Sequence, residues 1–474
     1  MPRLQILWSP WTWVVVAAAF RVGLLVSLPG AAPQIAIAPI PPRQRAALPQ
    51  GVVPFLEARV QLEPLTEDEH EYDEVARNLV AGRGFVLDSK WLISTPGQPT
   101  AFPGFGYPAF VASVYAVFGA GNELPVFLIQ IALAALAARW IVLAAARVGG
   151  GVAGAIGGAF YAAHPTLIWS SVAMMSEALC VPLVVALLSV LARPSRHAER
   201  RAIALAGLLV LLCLVRSTFT LFPWIIAGVL LFEARKRPFV RQRLAPCLVF
   251  GLAFLTFATP WAVRNYVHWK RLIPFSTKVG TNAWVHNHPG LTVEFSERAV
   301  SGTQPIDVFD ARIQDLPDEG AREAKLQDMF LRFLASNPLK FLGLVWMRFW
   351  MALLPVAVVS RSPFAAATAW YAKGTVLLSL LFAIRLIPAR RFYRLLPWLL
   401  FAGYWMLMQS LAGSGLRYRI PVDPAWACIV GVLWAAILAV LRRREAAVSL
   451  VQWPVPVGMG RPDASDLRSR DVPS

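Results

Sequence analysis

Seven of the chain's 27 acidic residues stand between Glu63 and Glu74, although the formal net charge of the 474 residues is +18. A carboxylate packed against apolar surface can take a proton from a hydroxyl. One that merely sits in a first helical turn complements the helix dipole. Spacing separates the two cases. Thr66-Glu67-Asp68-Glu69 is a capping-box pattern, so a helix is predicted from there to about Ala81, with Gly82 and Gly84 as its stop. On that helix Asp68, Tyr72, Val75, Ala76 and Leu79 share one face, apolar apart from Asp68 and the tyrosine hydroxyl. Glu67, Glu71 and Glu74 fall mostly elsewhere and can stay in water, and for Glu67, Glu69 and Glu71 the dipole is reason enough. Asp68 should instead pack on apolar neighbours, and is the candidate base.

Further residues of the same kind are scattered along the chain. Glu177, in SSVAMMSEALCVPL, sits at the end of an apolar run, where an acid is a functional candidate by default. The segment TPWAVRNYVHWKRLIPFSTKVGTNAWVHNHPG presents Arg264, Asn265, Lys270 and Arg271 just beyond another apolar run. Arg417 and Arg419 do the same in LAGSGLRYRIPVDP. Cations at such places either snorkel from a helix end or hold an anionic phosphate through charge-assisted hydrogen bonds. His286 and His288 could present both rings on one side of an extended segment, and with Glu69 or Glu177 would suit a divalent metal such as zinc or manganese. No metal ligand is assigned and no cofactor is required by this reading.

The elements that must position these groups are apolar. The chain is 57% hydrophobic and 15% charged, with mean hydropathy +0.55, which excludes a soluble globular protein. Runs near 12–29, 124–146, 151–169, 174–192, 202–217, 218–232, 245–262, 365–385, 395–412 and 421–441 are candidate membrane spans. The first, within Trp11–Gly30, lacks a clear cleavage site and is read as a retained span rather than a signal peptide. Arginines cluster at 193–201, 233–243, 385–394 and 442–444. Under the positive-inside rule all four lie in the cytoplasm, and the +18 charge reflects membrane orientation rather than nucleic-acid binding. The four cysteines lie in or beside apolar runs without metal or disulfide spacing. Parity then places two polar segments, roughly 30–123 and 263–364, on the outer face. Tyr107–Gly119 and Phe341–Ser360 do not fit that parity and are expected to lie in the interface. The expectation is an all-α polytopic membrane protein of about 10–12 transmembrane helices, one domain over 1–444 with a disordered cytoplasmic tail over 445–474. The acids and cations above then converge on one outer surface.

At this point the motifs resemble a known family. Asp68-Glu69-x-x-Tyr72-x-x-Val75-Ala76 with Gly82-Arg83-Gly84-Phe85 is similar to the first outer loop of the GT-C glycosyltransferases, nearest to bacterial members of the protein O-mannosyltransferase and lipid A aminoarabinose-transferase superfamily. PTAFPGFGYPAF resembles their proline-rich turn ending in Tyr-Pro, here Tyr107-Pro108. PWAVRNY and VGTNAWVHNHPG resemble their Pro-Trp-x-x-Arg-Asn and Asn-x-Pro segments, and Arg417-Tyr418-Arg419-Ile420-Pro421 their Arg-Tyr-x-x-Pro motif. The four occur in order between about 66 and 441. The resemblance implies a GT-C bundle in the cytoplasmic (inner) membrane with its active site facing the periplasm or outside. It implies transfer of a sugar, with inversion, from a polyprenyl-phosphate donor to a lipid, polysaccharide or protein hydroxyl. Asp68 matches the catalytic base and Glu177 a second acidic position. Arg264 and Arg417 are the candidate phosphate ligands, with Lys270 and Arg271 behind them. Glu69, Tyr72, Tyr107, Asn265, Asn287 and Tyr418 would support the site. Where many relatives have Arg-Pro-Pro-Gly-Tyr-Pro, this chain has Pro103-Gly104-Phe105-Gly106-Tyr107-Pro108, without the cation.

Two other classes use part of the same pattern. A transporter or flippase for a lipid-linked sugar needs phosphate-binding cations but no base. Against it, the sequence has no second half related to its first, and the acid-rich helix would lack a role. A non-catalytic membrane subunit would tolerate substitution at Asp68.

Overall fold

The structure is a computed structural model that describes residues 9–27, 68–89, 93–193, 197–235, 239–291, 311–353, 370–383, 389–413 and 416–451. Numbering helices of eight residues or more, it contains α1 Pro10–Ser27, α2 Asp68–Val80, α3 Gly106–Phe118, α4 Glu123–Gly149, α5 Gly151–Ala162, α6 Ser176–Leu191, α7 Ala198–Val215 and α8 Phe222–Ala234. It continues with α9 Val240–Trp269, α10 Lys278–Val285, α11 Glu319–Ser336, α12 Pro338–Leu353, α13 Thr375–Ala383, α14 Ala389–Ala412 and α15 Asp423–Val451. The described strands are β1 Val86–Leu87 and β2 Gln98–Pro99, an antiparallel pair with Val86 opposite Pro99. The protein is all-α and polytopic.

Five described segments are long and apolar enough to cross a bilayer: Glu123–Gly149, Ser217–Ala234, Leu244–Trp269, Arg394–Ala412 and Arg417–Arg442. Four shorter apolar helices accompany them, at Pro10–Val26, Gly106–Phe118, Gly151–Ala162 and Ser176–Leu191. The expected span at 151–169 is broken: α5 stops at Ala162, and a new turn, Pro165–Ser170, starts with proline at its head. Proline lacks the N–H needed to continue a helix but suits a first turn. The expected interruption between residues 202 and 232 falls at Arg216–Leu221, and Pro223 opens the following helix rather than breaking it. α15 runs to Val451, past the expected start of a disordered tail at Glu445; residues 452–474 lie outside the described residues, as does Thr66 of the capping box.

The core is a membrane-type one, in which small residues let backbones approach. A Cβ on Gly431 of α15 would come within 2.4 Å of the Ala153 carbonyl oxygen in α5, so only glycine fits. Phe401 and Trp405 of α14 fill the wider gap beside Phe219 and Phe222.

The two ends of the bundle carry different chemistry. α6 runs from Glu177 at one end to Leu191 at the other. At the Leu191 end Arg201 donates to the carbonyls of Val190 and Leu191 and pairs with Glu233. Two of the arginine-rich clusters therefore meet there, far along the same helix from Glu177. The other end is covered by β1, β2, α2, α10 and α11, and holds the acids.

Candidate active site

Helix α2 begins at Asp68 and ends where the chain turns out through Gly82, φ +74°. Its apolar face, Tyr72, Val75 and Ala76, is buried as the spacing predicts. The exception is Glu71, expected in water, which is only 3% exposed. The reason is a cation from far along the chain: Lys278, at the start of α10, lies between the two acids one turn apart on α2. Its Nζ is 2.9 Å from Asp68 Oδ1 and 3.0 Å from Glu71 Oε2. The same ammonium sits 4.6 Å above the Phe102 ring.

Asp68 has a second partner. Arg417 donates from one terminal nitrogen to Asp68 Oδ2, 2.5 Å away, and from Nε to Glu177 Oε1 at 2.8 Å. Glu177, fully buried in the first turn of α6, also accepts from Arg216 at 2.5 Å. The Arg216 guanidinium faces the ring of Tyr418, 5.5 Å from its centroid. The result is one continuous chain, Glu71–Lys278–Asp68–Arg417–Glu177–Arg216, of three carboxylates and three cations drawn from five separate segments. Buried charges demand such pairing, because an isolated one would shed its charge.

The neighbours fix the network. Gly104 and Gly106 of the proline-rich turn press on the end of α7: a Cβ on Gly104 would lie 2.5 Å from the Leu214 carbonyl oxygen, and one on Gly106 would lie 2.7 Å from the Val215 side chain. That contact seats the turn directly before Arg216. Tyr107 is fully buried, its ring edge-on to Tyr72 at 4.8 Å and its hydroxyl donating to Gln130 Oε1 at 2.6 Å. Glu69 accepts from the Met174 amide at 2.8 Å, tying α2 to the turn before Glu177. Asn287 donates to the Leu411 carbonyl and accepts from Arg348, holding α10 near the end of α14. The Tyr418 carbonyl accepts from Trp405 and Gln409, both at 2.7 Å. Arg419 pairs with Asp423 at 2.7 Å, so the turn carrying Arg417 is anchored just behind it.

Burial and charge compete at the acids, with opposite outcomes. At Asp68 burial acts to raise the pKa, but the Lys278 and Arg417 charges override it and hold the carboxyl well below the usual carboxylate range. At Glu71 burial wins: aided by the Asp68 charge and only partly offset by Lys278, it pushes the carboxyl up to about 8. The Lys278 ammonium is itself buried, yet Asp68 and Glu71 hold it charged, above the usual lysine range. Glu71 is thus the acid of the network that takes up a proton most readily.

The remaining expected residues are placed elsewhere. The guanidinium of Arg264, expected on the phosphate side, donates to the carbonyls of Thr100 and Phe85, at 2.8 and 3.2 Å, and lies 4.8 Å from the Trp261 ring centroid. Asn265 donates to the Ile273 carbonyl. Lys270 and Arg271 are exposed at the end of α9 and join no carboxylate of the network. Among the described residues no three of His, Cys, Asp and Glu gather as a metal site. The His286 ring meets Tyr418 and Gly413, and the His288 ring accepts from the Gly290 amide, while Glu69 and Glu177 are engaged as above. Sequence reasoning missed Glu71, Lys278 and Arg216. Phe275, three positions before Lys278, is the one local hint that its charge would be buried.

No protein-family model matches the chain, and no curated protein matches it. Solved structures do. The chain is similar to the archaeal oligosaccharyltransferase AglB from Archaeoglobus fulgidus in complex with an inhibitory peptide and a dolichol-phosphate, at 11% identity and TM-score 0.47, over 95% of this chain and 52% of that one. A second structure of the oligosaccharyltransferase, in complex with zinc and sulfate, gives 14% identity and TM-score 0.45 over 93% and 51%. ArnT from Cupriavidus metallidurans bound to undecaprenyl phosphate gives 14% identity and TM-score 0.38 over 94% and 81%. The chain spans about half the length of the oligosaccharyltransferases it matches.

Proposed function

We propose that the protein transfers a sugar from a polyprenyl-phosphate donor to an acceptor hydroxyl, with Asp68 as the general base. The observation that carries this reading is the position of Asp68 between Lys278 and Arg417, at the mouth of an otherwise apolar bundle. A polyprenyl tail stays in the bilayer while its phosphate meets the cations.

The same two cations that neutralise Asp68 are suited to a donor phosphodiester, which carries one negative charge. Arg417 offers a fork of donors and Lys278 a point charge. Lys278, above Phe102, also puts a cation beside the proline-rich turn that lacks one of its own. When the phosphate takes up Lys278 and Arg417, Asp68 loses the charges that hold its proton affinity down and becomes a competent base. Asp68 then accepts the acceptor's hydroxyl proton as that oxygen attacks the anomeric carbon. The new C–O bond forms on the face opposite the phosphate, the old one breaks with its electron pair going to the phosphate oxygen, and configuration inverts. Fixed cations at the departing oxygen stabilise the charge that develops there. Glu177 keeps Arg417 and Arg216 aligned and in this role is a positioning residue. Arg264, Lys270 and Arg271 have no part in these steps. The site would face the periplasm or outside, opposite the arginine clusters.

The test is label transfer from tagged polyprenyl-phosphate sugars in membranes holding wild-type or Asp68→Asn protein. Transfer by the wild type alone, with the variant folded and still binding donor, is the expected result. Equal transfer by both removes Asp68 from the chemistry.

A further inference from the structure

A cavity of about 370 Å³ is lined by Thr95, Gln98, His268, Trp269, Asp318 and Glu319 among others. Its walls are braced from behind. Buried Glu319 accepts from the Thr100 hydroxyl at 2.6 Å, the Ala101 amide at 2.8 Å and the Thr277 hydroxyl at 2.6 Å. Buried Arg322 donates to the Thr95 hydroxyl and the Ile93 carbonyl, at 2.8 and 2.9 Å, and to the carbonyls of Gln314 and Leu316. Trp269 is pinned between the Arg264 guanidinium, 5.4 Å from its ring centroid, and Gly320. Such a site loses little freedom when something binds.

Its chemistry is specific. Two aromatic rings, Trp269 and His268, stand with an amide, a hydroxyl and two carboxylates. Asp318 uses Oδ1 to cap α11 through the Ala321 amide at 2.8 Å. Among the described residues no lysine or arginine lines the cavity, so there a phosphate would face carboxylates with no compensating cation. An aromatic face for C–H surface, ringed by groups that both donate and accept, suits a neutral sugar ring.

The cavity also adjoins the reacting groups along two chain segments. Thr277, bonded to Glu319, is followed directly by Lys278 of the network. Ala101, bonded to Glu319, is followed by Phe102, whose ring lies under the Lys278 ammonium.

We propose that this cavity binds the acceptor, and that the acceptor is therefore a neutral, polyhydroxylated glycan end rather than a phosphorylated lipid headgroup or a peptide. The assignment as acceptor rests on the transferase reading; the sugar site itself does not.

The test is saturation-transfer NMR on the full-length protein in detergent, with methyl α-mannoside, methyl β-glucoside, mannobiose and cellobiose as probes. At least one saccharide should receive saturation, and its affinity should fall about tenfold in the Gln98→Ala/His268→Ala variant, the ratio for one or two lost hydrogen bonds. Both side chains are exposed, so the variant should fold. No binding by any probe, or equal binding by the variant, overturns the proposal, as does displacement of bound saccharide by inorganic phosphate. Asp68→Asn protein should bind the saccharide as the wild type does. If Asp68→Asn also transfers label normally, the proposed base fails while the sugar site stands.

Discussion

Arg417 and Arg264 both lie at the loop end of the bundle, both beside tryptophan or tyrosine, and both end an apolar stretch. Arg417 touches two carboxylates; Arg264 touches backbone carbonyls and aromatic rings, and no carboxylate among the described residues bonds to it. The difference separates a transferable cation from a brace. An acid that holds a cation can yield it to a stronger anion and gain basicity in exchange. A carbonyl that loses its donor is simply left unsatisfied, and the loop it belongs to is released. Arg348 belongs with Arg264, since its guanidinium joins the His286 carbonyl and Asn287 Oδ1.

The sharpest way to press this comparison is at the acid between the cations. Asp68→Asn should lower the rate of transfer by about 10²–10⁴, the usual contribution of a general base, while donor affinity holds or rises because Lys278 and Arg417 have lost a competitor. Measured donor Kd and single-turnover rate separate the two effects. Next in size is Arg417→Met. It leaves Asp68 and Glu177 without a shared partner and should destabilise the fold by about 3–5 kcal/mol, as for a broken buried pair, together with loss of donor binding. Adding Glu177→Gln should recover part of the thermal stability but none of the donor affinity.

Arg264→Met is the direct counter-experiment. We expect a stability loss of about 1–3 kcal/mol from two stranded carbonyls, with donor KM unchanged. A donor KM raised as far as in Arg417→Met would collapse the distinction between brace and ligand. The smallest effect concerns pH. Unfolded Glu71 titrates near 4.5 and folded Glu71 near 8. Between those values the unfolded chain holds fewer protons, so stability falls as pH rises through that window. Above pH 8 ionised Glu71 competes for Lys278, and donor affinity should weaken a few-fold. Glu71→Gln should flatten both slopes, read from thermal melts and donor Kd against pH.

Much of this was legible before any coordinates. The α2 helix follows from apolar residues at helical spacing and from Gly82, and its observed range, 68–80, departs little from that pattern. Glu177 is visible because an acid inside an apolar run has no cheap place to be. Glu71 was not legible. Its exposure depends on Lys278, 207 residues away, and nothing on the helix itself says that the flank beside Asp68 is covered. The carbonyl partners of Arg264 were not legible for the matching reason: its sequence neighbourhood, aromatic and at the end of an apolar run, is that of Arg417.

The sequence alone determined the membrane class and the helical register of α2, because hydropathy and periodicity are local properties that any packing must respect. Only the tertiary structure decided which cation meets which acid, that Glu71 is buried, and that the Arg264 guanidinium meets backbone carbonyls rather than a carboxylate. Those outcomes depend on contacts between residues hundreds of positions apart, and a charge carries no mark of its partner until packing has removed the water around both.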